Sequence, residues 1–376
     1  MDKWNIGDRH LLFQNNRKLS KKGNAMKLNQ TPVRTSRNFN INNIKIEDIE
    51  IPEVIREFNN VDIIKESEDI EIISEVKNTT LTYGLDDYLT KLVNEKSNCM
   101  LKINIEDNKD SKNYIDFKFD DENKDLFENI EIESKENSKS TIIIKYETEN
   151  EEKYLHNGII KVLAKENSKL NVIIVNLMNM NSNNFIAIEN TLEANAKVNY
   201  TIIDFGGKNS ITNYYSNLIG EKADNNLNTI YLGKENQLFD LNYIGELRGE
   251  KSNIDIEVQG ALKDIAKKHF KGTIDFKKGC KKATGNENEA CMLLSDTAKS
   301  LALPMLLCSE EDVEGNHSSS AGKIGEKELF YIMSRGFKLK EAMKLLVRAK
   351  FNKILENIND EELKEQILNE IDKRLD

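Results

Sequence analysis

Five short stretches of this chain follow one template at a near-constant interval, and that interval restricts the possible folds more than any other feature. Ser138-Lys139-Ser140-Thr141, Ser168-Lys169-Leu170-Asn171, Ala196-Lys197-Val198-Asn199, Asn225-Asn226-Leu227-Asn228 and Ser252-Asn253-Ile254-Asp255 share it. Each reads small residue or Asn, then Lys or Asn, then usually an aliphatic, then a short polar residue. The offsets are roughly 30, 28, 29 and 27 residues. Between them run short β-branched segments such as Thr141–Tyr146, Ile159–Leu163, Leu170–Leu177 and Val198–Phe205, separated by Asn/Gly/Lys/Glu turns and lacking a 3.6-residue period. Two strands and two turns per repeat, with no interposed helix, describe one coil of a solenoid, and the short strands make it a parallel β-helix. A β-sandwich is the competing arrangement. It would place Asn-Gly or Asp-Gly at most connections, and Asn157-Gly158 is the lone such pair here.

The expected fold class is therefore mainly β, a parallel β-helix core over 135–324. It is preceded by a mixed α/β region over 31–134 and followed by a helical segment over 325–376. Within the first region the charged–apolar alternation of Ile41–Ile73 reads as short strands. Leu85, Tyr88, Leu89 and Leu92 predict a helix over Leu85–Asn94. Residues 1–30 carry about seven Lys/Arg against two Asp, a basic arm expected to be flexible on an otherwise acidic chain. At the other end, Glu326–Arg335 is helical in composition and closed by Gly336, and Leu339–Ile358 forms an amphipathic stripe. A last helix is expected with Asn359 as its cap and Leu363, Ile367, Ile371 and Leu375 as its apolar face. These helices could close the open end of the solenoid or dock a partner, and the pattern does not separate the two.

Net charge −10 argues against a nucleic-acid binder, and no run of 18 apolar residues suggests a membrane span. The first residues lack the apolar core of a secretory signal. The four cysteines, Cys99, Cys280, Cys291 and Cys308, form no CxxC pair, so reduced thiols in the cytoplasm are expected. No P-loop, Rossmann, HExxH or GxSxG pattern occurs. Cys280 and Cys308 lie one repeat length apart, which in a β-helix would stack two thiols within reach of one iron. Against this, Met292-Leu293-Leu294 and Met305-Leu306-Leu307 give Cys291 and Cys308 the apolar neighbours of core cysteines. His317 follows Glu311-Asp312-Val313-Glu314-Gly315-Asn316 in a polar stretch, as a solvated turn residue or as a neutral imidazole ligand.

Leu293-Leu294-Ser295-Asp296-Thr297-Ala298, Glu311-Asp312-Val313 with His317, and Phe330-Tyr331-Ile332-Met333-Ser334-Arg335-Gly336 together resemble the SufB/SufD family of the SUF iron–sulfur cluster assembly system. His269-Phe270-Lys271-Gly272 resembles the family's H-F-x-G segment, and Pro32-Val33-Arg34-Thr35 resembles the N-terminal entry of SufD-like members. The resemblance implies a non-enzymatic β-helix scaffold. Such a subunit would pair with a SufB-like subunit and bind the SufC-type ATPase through C-terminal helices, with a transient iron–sulfur cluster at the subunit junction. By motif, His317 takes the place of the SufD histidine, with Cys308 and Cys291 as secondary ligand candidates. Phe330, Tyr331, Met333, Arg335, Leu339, Met343 and Leu346 would form the ATPase-binding surface. In SufB-like members the key cysteine falls near Glu289 of this chain, and the acid that follows the histidine is replaced by Ser318. Both departures favour the SufD-like side. A SufB-like scaffold acting as a homodimer is the nearest alternative, and a β-helix carbohydrate-active enzyme is the alternative of another class.

Overall fold

The computed structural model describes residues 26–32, 41–42, 44–46, 49, 51–65, 69–72 and 79–376. Most of the basic arm and Val33–Thr35 of the N-terminal motif lie outside these residues.

Strand β1 (Met26–Lys27) pairs antiparallel with β2 (Lys45–Ile46). Strands β3 (Val61–Lys65) and β4 (Ile70–Ile72) precede α1 (Asp87–Lys96), which starts where the Asp86 carboxylate accepts from the Tyr88 amide at 2.7 Å. The solenoid then alternates between two sheets. The odd strands β5 (Cys99–Ile105), β7 (Asp125–Ser134), β9 (Leu155–Ala164), β11 (Asn183–Leu192), β13 (Asn209–Leu218), β15 (Leu238–Leu247), β17 (Lys267–Phe276) and β19 (Lys299–Cys308) form one. The even strands β6 (Asp110–Phe119), β8 (Lys139–Thr148), β10 (Lys169–Leu177), β12 (Lys197–Asp204), β14 (Asp224–Gly233), β16 (Asn253–Leu262), β18 (Ala283–Leu293) and β20 (Val313–Lys323) form the other. All neighbours along each run pair in parallel, whereas β3 and β4 close the first coil antiparallel, on β6 and β5.

The parallel β-helix read from the repeat is thus the fold. Its regular ladder begins at Cys99, ahead of residue 135. The repeat template misses these first strands because Lys109-Asp110 stands where later coils have Ser-Lys, though Asp110 pairs with Lys139 in register. One coil is shifted relative to the sequence template. Lys197 pairs with Asp224 and Val198 with Asn225, so Ala223, rather than Asn225, continues the column of Ser168, Ala196 and Ser252. A two-residue shift preserves which face each side chain takes, which is why the strand pattern survives it.

At one corner of the coil a left-handed residue recurs: Asn108, Asn137, Asn167, Asn195, Lys222, Lys251 and Lys282, with φ between 53° and 60°. Each donates its amide to a carbonyl of the next coil, from Asn108 to Glu136 at 3.1 Å through Lys251 to Lys281 at 2.8 Å. Asn tolerates this backbone region, which explains why the early corners use it.

Alternation along the strands sends one set of side chains into the lumen, where Ile, Leu and Tyr pack as a continuous core that includes Tyr200, Tyr214 and Tyr243. The opposite faces are also covered. Leu85, Leu89 and Leu92, on and just before α1, pack with Leu28, Ile44 and Ile46 against Phe127, Phe185 and Ile211 of the odd sheet. Helices α3 (Leu339–Leu355) and α4 (Glu361–Leu375) bury Val347, Phe351, Ile354, Leu363, Ile367 and Ile371 against Ile173, Ile203 and Ile230 of the even sheet and Phe205 just beyond β12. They lie along the flank of the solenoid and do not cover its end. The N-cap of α4 is Asp360, whose carboxylate accepts from the Leu363 amide at 3.0 Å, one residue beyond the expected Asn359. Between β20 and α3, α2 (Glu326–Met333) buries no residue, and the chain turns at Gly336 with φ +97°. Among the described residues no helix is long and apolar enough to cross a membrane.

Candidate functional site at the open end of the solenoid

The last coil, β19 and β20, terminates both sheets, and nothing among the described residues pairs with its outer edges. Strand β20 is exposed along nearly its whole length, and β19 is mostly half-buried. Pro304 sits in β19, paired with Gly272 on its inner side, and its missing amide hydrogen removes one donor from this last strand.

His317 lies on β20 with Glu287 of β18 as its ladder partner. Residues paired in a parallel ladder point the same way. Strand β18 alternates strictly, with Gly285, Glu287, Glu289 and Cys291 buried and Asn286, Asn288 and Ala290 half-buried, so the first set faces the lumen. Gly315, His317, Ser319 and Ala321 continue those columns onto the last strand. The Ser319 hydroxyl accordingly donates to Glu289 Oε2 at 2.8 Å, while Ser318 turns outward and donates to Asn288 at 2.6 Å.

Beneath this rim lies a polar cluster. Lys268 Nζ is 2.7 Å from Glu289 Oε1 with neither side chain exposed, and the Tyr231 hydroxyl donates to the same oxygen at 3.2 Å. The Tyr231 ring occupies the space over its ladder partner Gly260, where a Cβ would overlap it. Glu289 is thus satisfied by three donors. Glu287, two residues away, is 2% exposed, and both its oxygens are buried without a hydrogen-bond partner. Its carboxylate reaches across to Gly272 of β17, where a Cβ would overlap it. Burial, reinforced by the Glu289 charge, pushes Glu287 up to about 8.

The cysteines separate. Cys291 faces the lumen beside Tyr231, and burial raises its thiol while Lys268 pulls the other way. Cys308 is exposed at the end of β19 and donates to the Glu310 carbonyl at 2.9 Å. Cys280 is buried at the corner after β17, and Cys308 pairs in the ladder with Phe276. The ladder stacking expected from their one-repeat spacing therefore does not occur, although the two thiols stay near enough for Cys308 to help raise Cys280, after burial and Glu310. The coil that carries Phe276 onto Cys308 is longer than the one before it, which carries Leu247 onto Phe276. Among the described residues no three His, Cys, Asp or Glu side chains converge as a metal-ligand set.

The helical candidates lie elsewhere. Phe330 and Tyr331 on α2 are 74% and 59% exposed, and Met333, Phe337 and Leu339 extend the apolar surface. Arg335 lies over the Tyr331 ring at 5.0 Å and donates to its hydroxyl at 3.0 Å. Met343 and Leu346 on α3 are half-buried.

Lys268 and Glu287 carry no sequence signal of their own, because charged residues are abundant throughout, and Glu289 stands out only as the position of the SufB-type cysteine. The usable signal was local, the period-two spacing of Glu287, Glu289 and Cys291 on a strand whose intervening residues are Asn288 and Ala290. Gly272 of the His269-Phe270-Lys271-Gly272 segment now has a physical purpose, since it leaves room for the Glu287 carboxylate. His269 itself points to the outer face, and burial lowers it to about 4.

A family model described as "SUF system FeS cluster assembly, SufBD core domain" matches residues 117–350, more than half of the chain. The chain is 26% identical over 180 residues to an iron–sulfur cluster assembly protein SufD of Bacillus subtilis, covering 48% of this chain and 41% of that protein. It is 31% identical over 163 residues to an iron–sulfur cluster assembly SufBD family protein of Pyrococcus horikoshii, covering 43% and 35%. With SufD of Escherichia coli it shares 28% over 114 residues, 30% of this chain and 27% of that protein. The matched segments thus span well under half the length of these relatives.

Proposed function

We propose that this chain, which belongs to the SufBD family of the SUF iron–sulfur cluster assembly system, is a SufD-like scaffold rather than a catalyst. It pairs through the open end of its β-helix with a SufB-like subunit. The observation that carries this reading is the terminal coil. Two sheets end in strands of 10 and 11 residues whose outer edges are unpaired among the described residues. Free edges of that length are templates for pairing with another chain. His317 lies on the edge strand and faces the lumen, so an imidazole would stand at the junction where a transient cluster forms. The cluster is cargo, held in part by the partner.

The exposed apolar surface of α2, Phe330 and Tyr331 foremost, is the docking site for a SufC-type ATPase, whose cycle would strain the junction through α2 and the loop to α3. Large aromatic side chains exposed together on a short helix suit a hot spot. A carbohydrate-active reading gains nothing from the solenoid, whose Tyr146, Tyr200, Tyr214, Tyr231 and Tyr243 rings are all fully buried and form no sugar platform.

Deleting the C-terminal segment would strip the even sheet of its cover, so substitution is the cleaner test. Phe330→Ala with Tyr331→Ala should abolish co-purification of the ATPase while leaving the melting temperature nearly unchanged, because both rings are mostly exposed and Tyr331 loses only its surface contact with Arg335. Retained ATPase binding would refute the docking assignment. His317→Ala should abolish cluster assembly in cells while both partners still co-purify, and intact assembly would remove His317 from the site.

A further inference from the structure

One corner of the open end holds two thiols that the cluster-assembly reading leaves without a purpose. Cys280 lies in the turn from β17 to β18, Lys277-Lys278-Gly279-Cys280-Lys281-Lys282, and Cys308 ends β19 one coil further on. Cys308 continues the lumen-facing column of Leu247 and Phe276, and Cys280 packs in the same core as those two side chains. Glu310 joins the two positions. Its carbonyl accepts from the Cys308 thiol at 2.9 Å, and its carboxylate accepts from the Gly279 amide, beside Cys280, at 2.9 Å. The Ser309 amide donates to the Phe276 carbonyl at 2.8 Å, so the two chain segments enter the corner side by side. Cys308 is also one of the groups that raise the Cys280 thiol, after burial and Glu310, which puts the two sulfurs within electrostatic range. Their exposure differs, for Cys308 is open to solvent and Cys280 is fully buried. Gly279 carries the turn at φ +101° with nothing near the place a Cβ would take, so a small shift of the turn meets no clash on that side. The other two cysteines lie elsewhere, Cys99 at the start of β5 and Cys291 near the far end of β18.

We propose that Cys280 and Cys308 form a reversible disulfide when the chain meets a peroxide, and that this bond staples the last coil to the one before it. The exposed Cys308 reacts first. With hydrogen peroxide, its sulfur attacks one oxygen, the O–O bond breaks, and a sulfenic acid and one water form. The Cys280 sulfur then attacks the Cys308 sulfur and the S–O bond breaks. The displaced hydroxyl leaves with the Cys280 proton as a second water. Two thiols thus give up two electrons and two protons, and the peroxide is reduced to two waters. A small-molecule thiol reverses the bond by exchange through a mixed disulfide and is itself oxidised to a disulfide. The staple acts where the solenoid is weakest. Strands β19 and β20 have unpaired outer edges among the described residues, and β20 is exposed along nearly its whole length. A covalent link from the end of β19 to the turn before β18 closes one coil and opposes its fraying.

The test starts from the full chain, fully reduced and then treated with hydrogen peroxide. Free thiols counted after denaturation should fall from four to two, and digestion without reductant should yield the Cys280 and Cys308 peptides linked to each other. Dithiothreitol should restore all four thiols. Cys280→Ser should leave Cys308 as a sulfenic acid that a dimedone reagent labels, and Cys308→Ser should keep its remaining thiols at the same peroxide dose. Amide hydrogen exchange in β19 and β20 should slow at least about tenfold in the oxidised chain, and should not slow in peroxide-treated Cys308→Ser. Four persistent thiols, a link to Cys99 or Cys291, or a link between two chains would overturn the proposal. A Cys280–Cys308 link that leaves exchange in the last coil as fast as in the reduced chain would overturn the staple.

Discussion

Lys268→Met tests the interior of the open end most directly, because it removes one ammonium and preserves most of the side-chain volume. Lys268 and Glu289 are 2.7 Å apart with no exposure on either side. At an effective dielectric of about 20 the pair attracts by about 6 kcal/mol, an attraction largely offset by the desolvation of two ions. Removing the lysine abolishes the attraction but leaves Glu289 in place, held only by the Tyr231 and Ser319 hydroxyls. The expected cost is about 3–5 kcal/mol, the range for breaking one side of a buried pair. The Lys268 ammonium also lies 5.9 Å and 5.7 Å from the Tyr231 and Phe270 ring centroids, which places the cost toward the upper end. Urea unfolding followed by circular dichroism gives the value, and Lys268→Met with Glu289→Gln closes the double-mutant cycle. The double variant should recover most of the lost stability, since an uncharged pair leaves no stranded carboxylate. A cost for Lys268→Met below about 1 kcal/mol would mean that the pair is hydrated, and the account of a closed interior beneath His317 would fail.

Asp204 gives a pH prediction of defined sign. Burial raises it to about 7, against the opposing effect of hydrogen bonds from Ser210 and Asn176 and of the Arg374 charge. A carboxyl raised in the folded state contributes its full stability below the unfolded value of about 4. That contribution is lost as pH rises through about 7, a decline of up to about 4 kcal/mol. Asp204→Asn should flatten this part of the stability–pH profile, and an unchanged slope would assign it to other groups. At the corners, Lys282 holds a left-handed backbone with φ 59°, where the early coils use Asn. Lys282→Asn should stabilise by up to about 1 kcal/mol and Asn167→Lys should cost a similar amount; equal midpoints in chemical denaturation for all three chains would show that the corner carries no strain.

The solenoid was legible because its repeat is local in sequence. Lys139, Lys169 and Lys197 recur at the offsets that the ladder joins. A better marker was present one or two residues earlier, in Asn108, Asn137, Asn167 and Asn195, whose left-handed corners include the first coils that the Ser-Lys template misses. The amphipathic stripes of α3 and α4 were equally readable, but their destination was not. An apolar stripe states that something covers it, and packing against the flank or over the end satisfies it equally. The site was harder. His317 stood out by type and motif, yet Glu287 precedes it by a full coil of the same sheet. The cysteine spacing that looked meaningful fails as a ladder pair because the coil before β19 is longer than its predecessor.

From its sequence alone the chain specifies a coiled ladder of parallel strands, the face each residue takes along them, and helices that need a surface to cover. These follow from the two-residue period of strands, the 3.6-residue period of helices and the longer period of the coil, each of which can be read along the chain. Which residues meet across coils depends on the length of every intervening turn. A difference of a few residues there decides whether Cys308 pairs in the ladder with Cys280 or with Phe276, and places an unpartnered Glu287 in the rung next to His317. Only the assembled ladder sums those lengths, so which side chains meet at the open end is decided by the tertiary structure.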